Sequence, residues 1–203
     1  MKAKEYIKYT DFLAFYFHQR VAYLLLIQIK DTKITPNQVT LLALIFGLFS
    51  AFSIIIGEDL LAVILLQLSF VLDCLDGQLA RYKKMSSNLG MWLDNLVDRV
   101  VENSIVIALS FHFNIINIGI YLVFINMFFS YISDLEIYQN VQYKKLTQLQ
   151  KLIFSPIYLL HRSFVTLLLS ISIFLPEILL MLVIIYIYGI IFKIYRKFYG
   201  LVT

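Results

Sequence analysis

The chain has little charge for its length. Of its 203 residues only 15% are charged and 61% are hydrophobic, and the mean hydropathy is +0.82. Soluble domains carry about 25% charged residues, so this composition excludes the ordinary soluble class and indicates an integral membrane protein.

Cysteine and nucleic-acid signals are also scarce. Cys74 is the single cysteine, which excludes an intrachain disulfide. It is expected to be a small buried hydrophobe rather than a metal thiolate. The sequence has no recognisable RNA-binding or DNA-binding motif, internal repeat or low-complexity tract, so no nucleic-acid partner is expected.

Long apolar segments predict the fold. Segments of about 20 residues, enough to cross a bilayer, lie roughly at 37–56, 60–81, 91–112, 115–135, 153–174 and 177–195. We expect an all-α integral membrane fold with six transmembrane helices in residues 35–203. Residues 1–34 would form an N-terminal cytoplasmic, interfacial arm, because the apolar run Val21–Ile29 is too short to span. A signal peptide is disfavoured, since no small-x-small cleavage site follows that run.

Basic residues mark one side of the predicted membrane domain. They are Lys2, Lys4, Lys8, Arg20, Lys30, Lys33, Arg81, Lys83, Lys84, Lys144, Lys145, Lys151, Lys193, Arg196 and Lys197. The opposite loops carry Glu58, Asp59 and Glu177. Lysine and arginine favour the cytoplasmic side, so we expect a multi-pass protein of the cell (inner) membrane with both termini and the aspartates described next facing the cytoplasm. The net charge of +4 indicates contact with anionic membrane lipids.

Four aspartates interrupt the second and third apolar segments. They belong to the pattern D-x2-D-G-x2-A-R-x8-G-x3-D-x3-D, which runs from Asp73 to Asp98. One aspartate at the centre of a membrane helix costs roughly 2.5–3.5 kcal/mol, so such a cluster indicates a functional site. Helical spacing places Asp73 and Asp76 on one face with Gly77 and Ala80. The same spacing aligns Gly90, Asp94, Asp98 and Glu102 on the next helix, and the two faces would bring four carboxylates into one pocket.

The chemistry of these side chains favours a metal site. Oxygen ligands without histidine suit Mg²⁺ or Mn²⁺, which commonly bind phosphates. Two such ions can stabilise both oxygens of an in-line displacement at phosphorus, which points to a pyrophosphate substrate. The alternative is structural pairing of the acids with Arg81 and Arg99, but that would leave two negative charges uncompensated.

The pattern resembles the signature of the CDP-alcohol phosphotransferase (CDP-alcohol phosphatidyltransferase) family at every position. The resemblance implies attack of an alcohol on the β-phosphorus of a CDP-alcohol, with release of CMP. It implies that the four aspartates bind metal ions and that Asp98 also acts as the general base. The residues that it implies for these roles are Asp73, Asp76, Asp94 and Asp98 for the metal ions, and Asp73, Gly77, Ala80 and Arg81 for the nucleotide.

The first predicted span adds two nucleotide candidates. Thr35, Pro36 and Gln38 form a predicted capping box that begins the span. The string ITPNQVTLLALIFGL also resembles the family's first span, and this resemblance implies that Asn37 and Thr40 border the nucleotide pocket.

The acceptor site is predicted from a cationic residue in the fifth span. Arg162 would face the protein interior or a water-filled cavity and bind an acceptor phosphate with Lys144, Lys145 or Lys151. The alternative is an arginine that snorkels to the interface. His161 is expected to be a packed or interfacial side chain, and His18 and His112 have no evident partner.

The alcohols are constrained by what the motif lacks. The run after Thr40 has no arginine, unlike glycerophosphate-transferring members, and Asn95 replaces a histidine common in choline and ethanolamine members. Arg99 and Glu102 resemble prokaryotic inositol-phosphate-type members, although Glu102 replaces their usual aspartate. We expect a CDP-linked lipid such as CDP-diacylglycerol as donor and a polyol phosphate such as inositol phosphate as hydroxyl acceptor.

Two alternatives remain at this stage. One is a transferase that uses a CDP-linked polar alcohol (CDP-inositol-like) as donor. The other is a cation transporter, whose acids would be distributed through the membrane depth, whereas here they cluster near one side. The family resemblance also suggests a homodimer.

Overall fold

A computed structural model describes residues 14–138 and 162–198, in which every regular element is a helix. A π-helical turn, Ala14–His18, precedes the first α-helix. The α-helices are α1 (Gln19–Ile29), α2 (Pro36–Ile55), α3 (Asp59–Lys83), α4 (Asn88–His112), α5 (Ile116–Tyr138), α6 (Arg162–Ser172) and α7 (Glu177–Phe198). The all-α prediction is confirmed for these residues.

Among the described residues, four helices are long and apolar enough to cross a membrane, which makes this a multi-pass membrane protein. They contain the segments Pro36–Ile55, Asp59–Lys83, Ile116–Leu135 and Glu177–Tyr195. Helix α4 is as long as α3, with 25 residues, but the charged side chains of Asp94, Asp98, Arg99 and Glu102 leave it without the long uncharged stretch that α3 has before Asp73. Only the part of the predicted span 153–174 from Arg162 onwards is described, so the count of six stays a prediction.

Local interactions define the ends of three helices that meet near the motif. The predicted capping box is confirmed: Thr35 N donates to Gln38 Oε1 at 2.9 Å, and Gln38 N donates to Thr35 Oγ1 at 3.4 Å. Ser87 caps α4 by accepting from Gly90 N at 3.0 Å. Helix α3 ends at Lys84, which has the left-handed φ of 55°. The beginnings of α2 and α4 lie close together, since a Cβ added at Gly90 would be 3.5 Å from Asn37 Oδ1, and Thr40 of α2 bonds to Asp76 of α3.

Small residues allow the central helices to approach closely. Ser50 donates to the carbonyl of Ala62 at 2.7 Å, and Ser69 donates to that of Ala43 at 2.8 Å, so α2 and α3 are joined by two interhelical hydrogen bonds. Around them, Ile54, Ile105 and Leu109 are completely buried in the main apolar core. This packing fixes α3 and α4, the two helices that carry the motif.

The N-terminal arm docks against α3 through buried polar groups. Gln78 Nε2 donates to the carbonyl and the side-chain oxygen of Gln19, both at 2.8 Å. His18 Nε2 lies 2.8 Å from Gln67 Oε1, which supplies the partner that the sequence did not reveal. Lys83 Nζ donates to the carbonyls of Thr32 and Ile34 at 2.6 and 2.7 Å and thereby fixes the loop before α2.

Gly47 sets the spacing between α2 and α4. A Cβ added there would lie 2.4 Å from Cγ2 of Val101, whose β-branched side chain has little freedom to move. We expect Gly47→Ala to destabilise the fold by about 1–3 kcal/mol through overpacking. Thermal unfolding in detergent measures this loss. The double variant Gly47→Ala/Val101→Ala should recover most of it, and an unchanged melting temperature in the single variant would contradict the close approach.

Candidate active site

Three carboxylates from α3 and α4 form the centre of the site. One oxygen from each of Asp73, Asp76 and Asp94 lies within 4.8 Å of the others. Asp76 is buried, and Oδ1 of Asp94 is buried without a hydrogen-bond partner among the described residues. An unsatisfied buried oxygen within a set of carboxylates fits a hard divalent cation such as Mg²⁺ or Mn²⁺. These three side chains could therefore hold a metal ion.

Arg162 joins the fourth motif aspartate to the first. Its guanidinium pairs with Asp73 through Nη1 and with Asp98 through Nη2, the latter at 2.5 Å. The guanidinium carbon also lies 5.1 Å from the centre of the Phe70 ring. The side chain thus faces the interior, and the snorkelling alternative is wrong for this structure. Asp98 lies beside the three-carboxylate group, where the arginine offsets part of its charge.

Of the nucleotide candidates outside the carboxylate group, Thr40 contacts it directly, and the others lie on adjoining turns of α2 and α3. Thr40 Oγ1 lies 2.5 Å from Oδ2 of Asp76, to which the hydroxyl donates. Gly90 lies close to Asn37, since an added Cβ would be 3.5 Å from Asn37 Oδ1. Arg81 folds back over Gly77, where an added Cβ would meet its Nη1 at 3.4 Å.

The last of these candidates, Ala80, is half-buried in α3, seven residues after Asp73. Helices α2, α3 and α4 all contribute to the neighbourhood that the sequence predicted.

Glu102 belongs to a different cluster from the one that its spacing suggested. Its Oε2 pairs with Arg99 Nη1 at 2.9 Å and accepts from Asn126 Nδ2 at 3.3 Å. Arg99 Nη1 also donates to Asn126 Oδ1 at 2.9 Å. Arg99 is therefore engaged with α5, and the predicted alternative of Arg99 neutralising the motif aspartates is wrong.

A cavity of about 220 Å³ lies beside Arg162. Its lining residues come from α4, α5, α6 and α7: Asn95, Arg99, Glu102, Phe129, Ser130, Ser133, Asp134, Arg162, Val165 and Tyr186. Asn126 and Tyr186 were not predicted as site residues. An isolated asparagine in the apolar run of α5 was an available signal, whereas nothing in the sequence relates Tyr186 to the motif. Lys144, Lys145, Lys151 and His161 lie outside the described residues.

The hydroxyl of Thr40 offers a direct test of this geometry. Thr40→Val keeps the shape of the side chain but removes the donor to Asp76. Outer hydrogen-bond partners of metal ligands are typically worth 10–100-fold in metal affinity, so we expect about a tenfold loss in Mn²⁺ binding. Electron paramagnetic resonance titration measures it. Thr40→Ser retains the hydroxyl and should bind as the wild type does; equal losses in both variants would exclude this role.

Comparison with known proteins identifies the family. The family model described as CDP-alcohol phosphatidyltransferase matches residues 33–195. The chain belongs to this family.

Two curated relatives match over the motif region. A bifunctional IPC transferase and DIPP synthase of Aquifex aeolicus is 41% identical over 80 residues, 39% of this chain and 18% of that protein. An archaetidylinositol phosphate synthase of Pyrococcus horikoshii is 35% identical over 77 residues, 38% of this chain and 41% of that protein. The match therefore spans less than half the length of either relative.

Solved structures share the family fold over most of the chain. Phosphatidylinositol phosphate synthase of Mycobacterium tuberculosis, with CDP-DAG bound, has a TM-score of 0.60 and covers 89% of this chain and 92% of its own. The structure of that enzyme with manganese and citrate also has a TM-score of 0.60, and covers 89% and 87%. Sequence identity is 16% in both cases, so these likenesses show the fold.

Proposed function

We propose that this family member transfers a phosphatidyl group from CDP-diacylglycerol to a hydroxyl of a polyol phosphate such as inositol phosphate, and releases CMP in phospholipid biosynthesis. The observation that carries the proposal is the approach of three motif carboxylates to within 4.8 Å, with Asp98 beside them. Oxygens so arranged suit the binding of a divalent ion and a pyrophosphate. The names of the Mycobacterium and Pyrococcus relatives support an inositol phosphate acceptor.

The carboxylates would hold the cofactor. Asp73, Asp76 and Asp94 are the proposed ligands of two Mg²⁺ or Mn²⁺ ions, and Asp98 stands at the edge of the same site. When bound, such ions neutralise phosphate oxygens and stabilise the charge that develops on the leaving group. Thr40 holds Asp76 in orientation through its hydroxyl.

Asp98 is the proposed general base. The acceptor oxygen forms a bond to the β-phosphorus while the bond between that phosphorus and the CMP oxygen breaks, and Asp98 takes the hydroxyl proton. A carboxylate has a low intrinsic affinity for protons, so the acceptor hydroxyl must lie within hydrogen-bonding reach of it. Arg162, which pairs with Asp98, restricts where this carboxylate can point.

The remaining candidates bind the two substrates. The residues proposed to surround the cytidine nucleotide lie on α2 and α3, either in the carboxylate group or on the turns next to it. They are Asn37, Thr40, Asp73, Gly77, Ala80 and Arg81. Arg162 is proposed to attract the acceptor phosphate, together with Lys144, Lys145 or Lys151. A guanidinium suits this role because it can offer two parallel hydrogen bonds to phosphate oxygens.

The proposed arrangement in the cell follows the charge distribution. Residues 35–203 would form a six-helix catalytic domain in the cell (inner) membrane, with residues 1–34 as an interfacial arm. The site and both termini would face the cytoplasm, and the protein could pair as a homodimer. Arm residues Ala22 and Leu26 pack against the protein, while the apolar side chains of Leu24 and Ile27 are exposed, and such an exposed apolar face supports contact with lipid at the interface.

An acceptor panel tests the proposed function. Purified protein in detergent is incubated with CDP-diacylglycerol, Mn²⁺ and one acceptor at a time: inositol phosphate, glycerol phosphate or serine. The lipid products are identified by mass spectrometry. We expect a phosphodiester product with inositol phosphate. A product with another acceptor alone would overturn the assigned substrate, and product only from a CDP-linked polar alcohol would overturn the lipid donor.

A further inference from the structure

The cavity beside Arg162 has about the size of a small polar molecule such as a phosphorylated polyol. Its volume of about 220 Å³ lies below the roughly 300–1,000 Å³ of typical ligand pockets and equals about seven waters of liquid volume. One phosphorylated six-carbon polyol is of this order of size. The cavity shares Arg162 with the catalytic centre, so a molecule bound there lies next to Asp98.

The walls of the cavity contain both hydrogen-bond donors and hydrogen-bond acceptors. Arg99, Arg162 and Tyr186 can donate, whereas Glu102 and Asp134 accept when ionised. Each hydroxyl of a polyol both donates and accepts, so such a lining can satisfy several hydroxyls at once. A three-carbon acceptor would leave part of the lining without partners. A site built to bind a hydroxyl rejects an analogue that lacks it, because buried polar groups then remain unpaired.

Arg99 is held in place at this wall by partners on two helices. Glu102 binds it in a fork, through Nη1 at 2.9 Å and Nη2 at 3.4 Å, and Asn126 accepts from Nη1 at 2.9 Å. Both partners are buried, at 5% and 2% exposure, so this arrangement is protected from competing water. Asn126 in turn donates to Asn103 Oδ1 at 3.1 Å, outside the cavity lining. Such a fixed guanidinium presents its remaining N–H groups in a defined direction.

We propose that Arg99, fixed by Glu102 and Asn126, is the residue that makes this cavity selective for a polyol phosphate over a smaller alcohol phosphate. The inference rests on the proposed transfer function and assigns it a specificity determinant next to the base. Asp98, the preceding residue, accepts the proton, while Arg99 binds the acceptor at the wall formed by α4 and α5.

Acceptor preference in Arg99→Gln tests this assignment. We expect the KM for inositol phosphate to rise about tenfold or more, with the KM for CDP-diacylglycerol unchanged, so that preference over glycerol phosphate falls by about the same factor. Arg99→Lys keeps the charge but loses the fork, and should recover only part of the preference. Arg20→Gln is the matched control, because it makes the same substitution at an exposed arginine of the arm that lies over the Tyr16 ring, and it should leave the preference unchanged.

A second variant tests the same inference if the Arg99→Gln protein does not fold. Tyr186→Phe removes only the phenol oxygen, which lies within hydrogen-bonding reach of Arg99, and should raise the acceptor KM alone, by about threefold to tenfold. Unaltered acceptor preference in the Arg99→Gln or Tyr186→Phe protein, or an equal loss in Arg20→Gln, would overturn the inference while wild-type turnover still supports the proposed function. No turnover by the wild type with any acceptor would instead overturn the function itself.

Discussion

Replacing Asp98 with asparagine is expected to reduce CMP release by about 10²–10⁴-fold, the usual contribution of general acid–base catalysis. The amide keeps the shape of the side chain but cannot accept the hydroxyl proton. Arg162 retains Asp73 as a partner, so the fold and the position of α6 should survive. Because Asp98 lies outside the group of three carboxylates, Mn²⁺ and the nucleotide should still bind.

The matched control for this change is Asp31→Asn. Asp31 is 76% exposed and lies 3.7 Å from Lys30 on the arm, away from the carboxylate group. The Asp31→Asn substitution removes the same charge and should leave turnover unchanged. Appreciable CMP release by Asp98→Asn would remove the base assignment, and loss of Mn²⁺ binding in that variant would make Asp98 a metal ligand instead.

The second large effect is expected from Asp94→Asn, which removes a proposed metal ligand rather than the proposed base. Mn²⁺ affinity should fall by about 100-fold or more, exceeding the effect typical of an outer partner. Turnover should fall with it and recover partly at high Mn²⁺, because Asp98 remains available. Asp98→Asn should show no such recovery, so the two roles are separable by one metal titration.

Asp59→Asn provides the control for Asp94→Asn. Asp59 lies in the first turn of α3, about 21 Å along the helix from Asp73 at 1.5 Å per residue. The site should therefore not respond to its loss. Normal Mn²⁺ affinity in Asp94→Asn would show that the buried, unpartnered oxygen of Asp94 has another role.

The local geometry of the motif was predictable because helical periodicity is regular. Residues three and four apart share a face, so Asp73 and Asp76 could be aligned, and Asp94 placed on the facing helix, without knowledge of the fold. The capping box that begins α2 was predictable for the same reason, since all its contacts lie within one turn. Membrane character followed from composition, although the number of spans depends on helices that carry functional charge.

Contacts between distant helices were not predictable in the same way. Arg162 lies 64 positions after Asp98 in the sequence, and only packing of α6 against α3 and α4 reveals that it joins two motif aspartates. Glu102 shares the periodicity of Asp94 and Asp98, yet it turns to Arg99 and Asn126 because α5 packs beside it. Periodicity fixes which face a residue occupies along one helix, whereas the partner helix decides what it meets.

The central claim is that this site performs metal-dependent transfer from a CDP-linked lipid. The most direct measurement is CMP release by the purified wild-type protein with CDP-diacylglycerol and inositol phosphate, first in chelator and then after Mg²⁺ or Mn²⁺ is restored. We expect no CMP in chelator and full release once the metal is restored. CMP release that persists in chelator, or none with metal present, would contradict the claim.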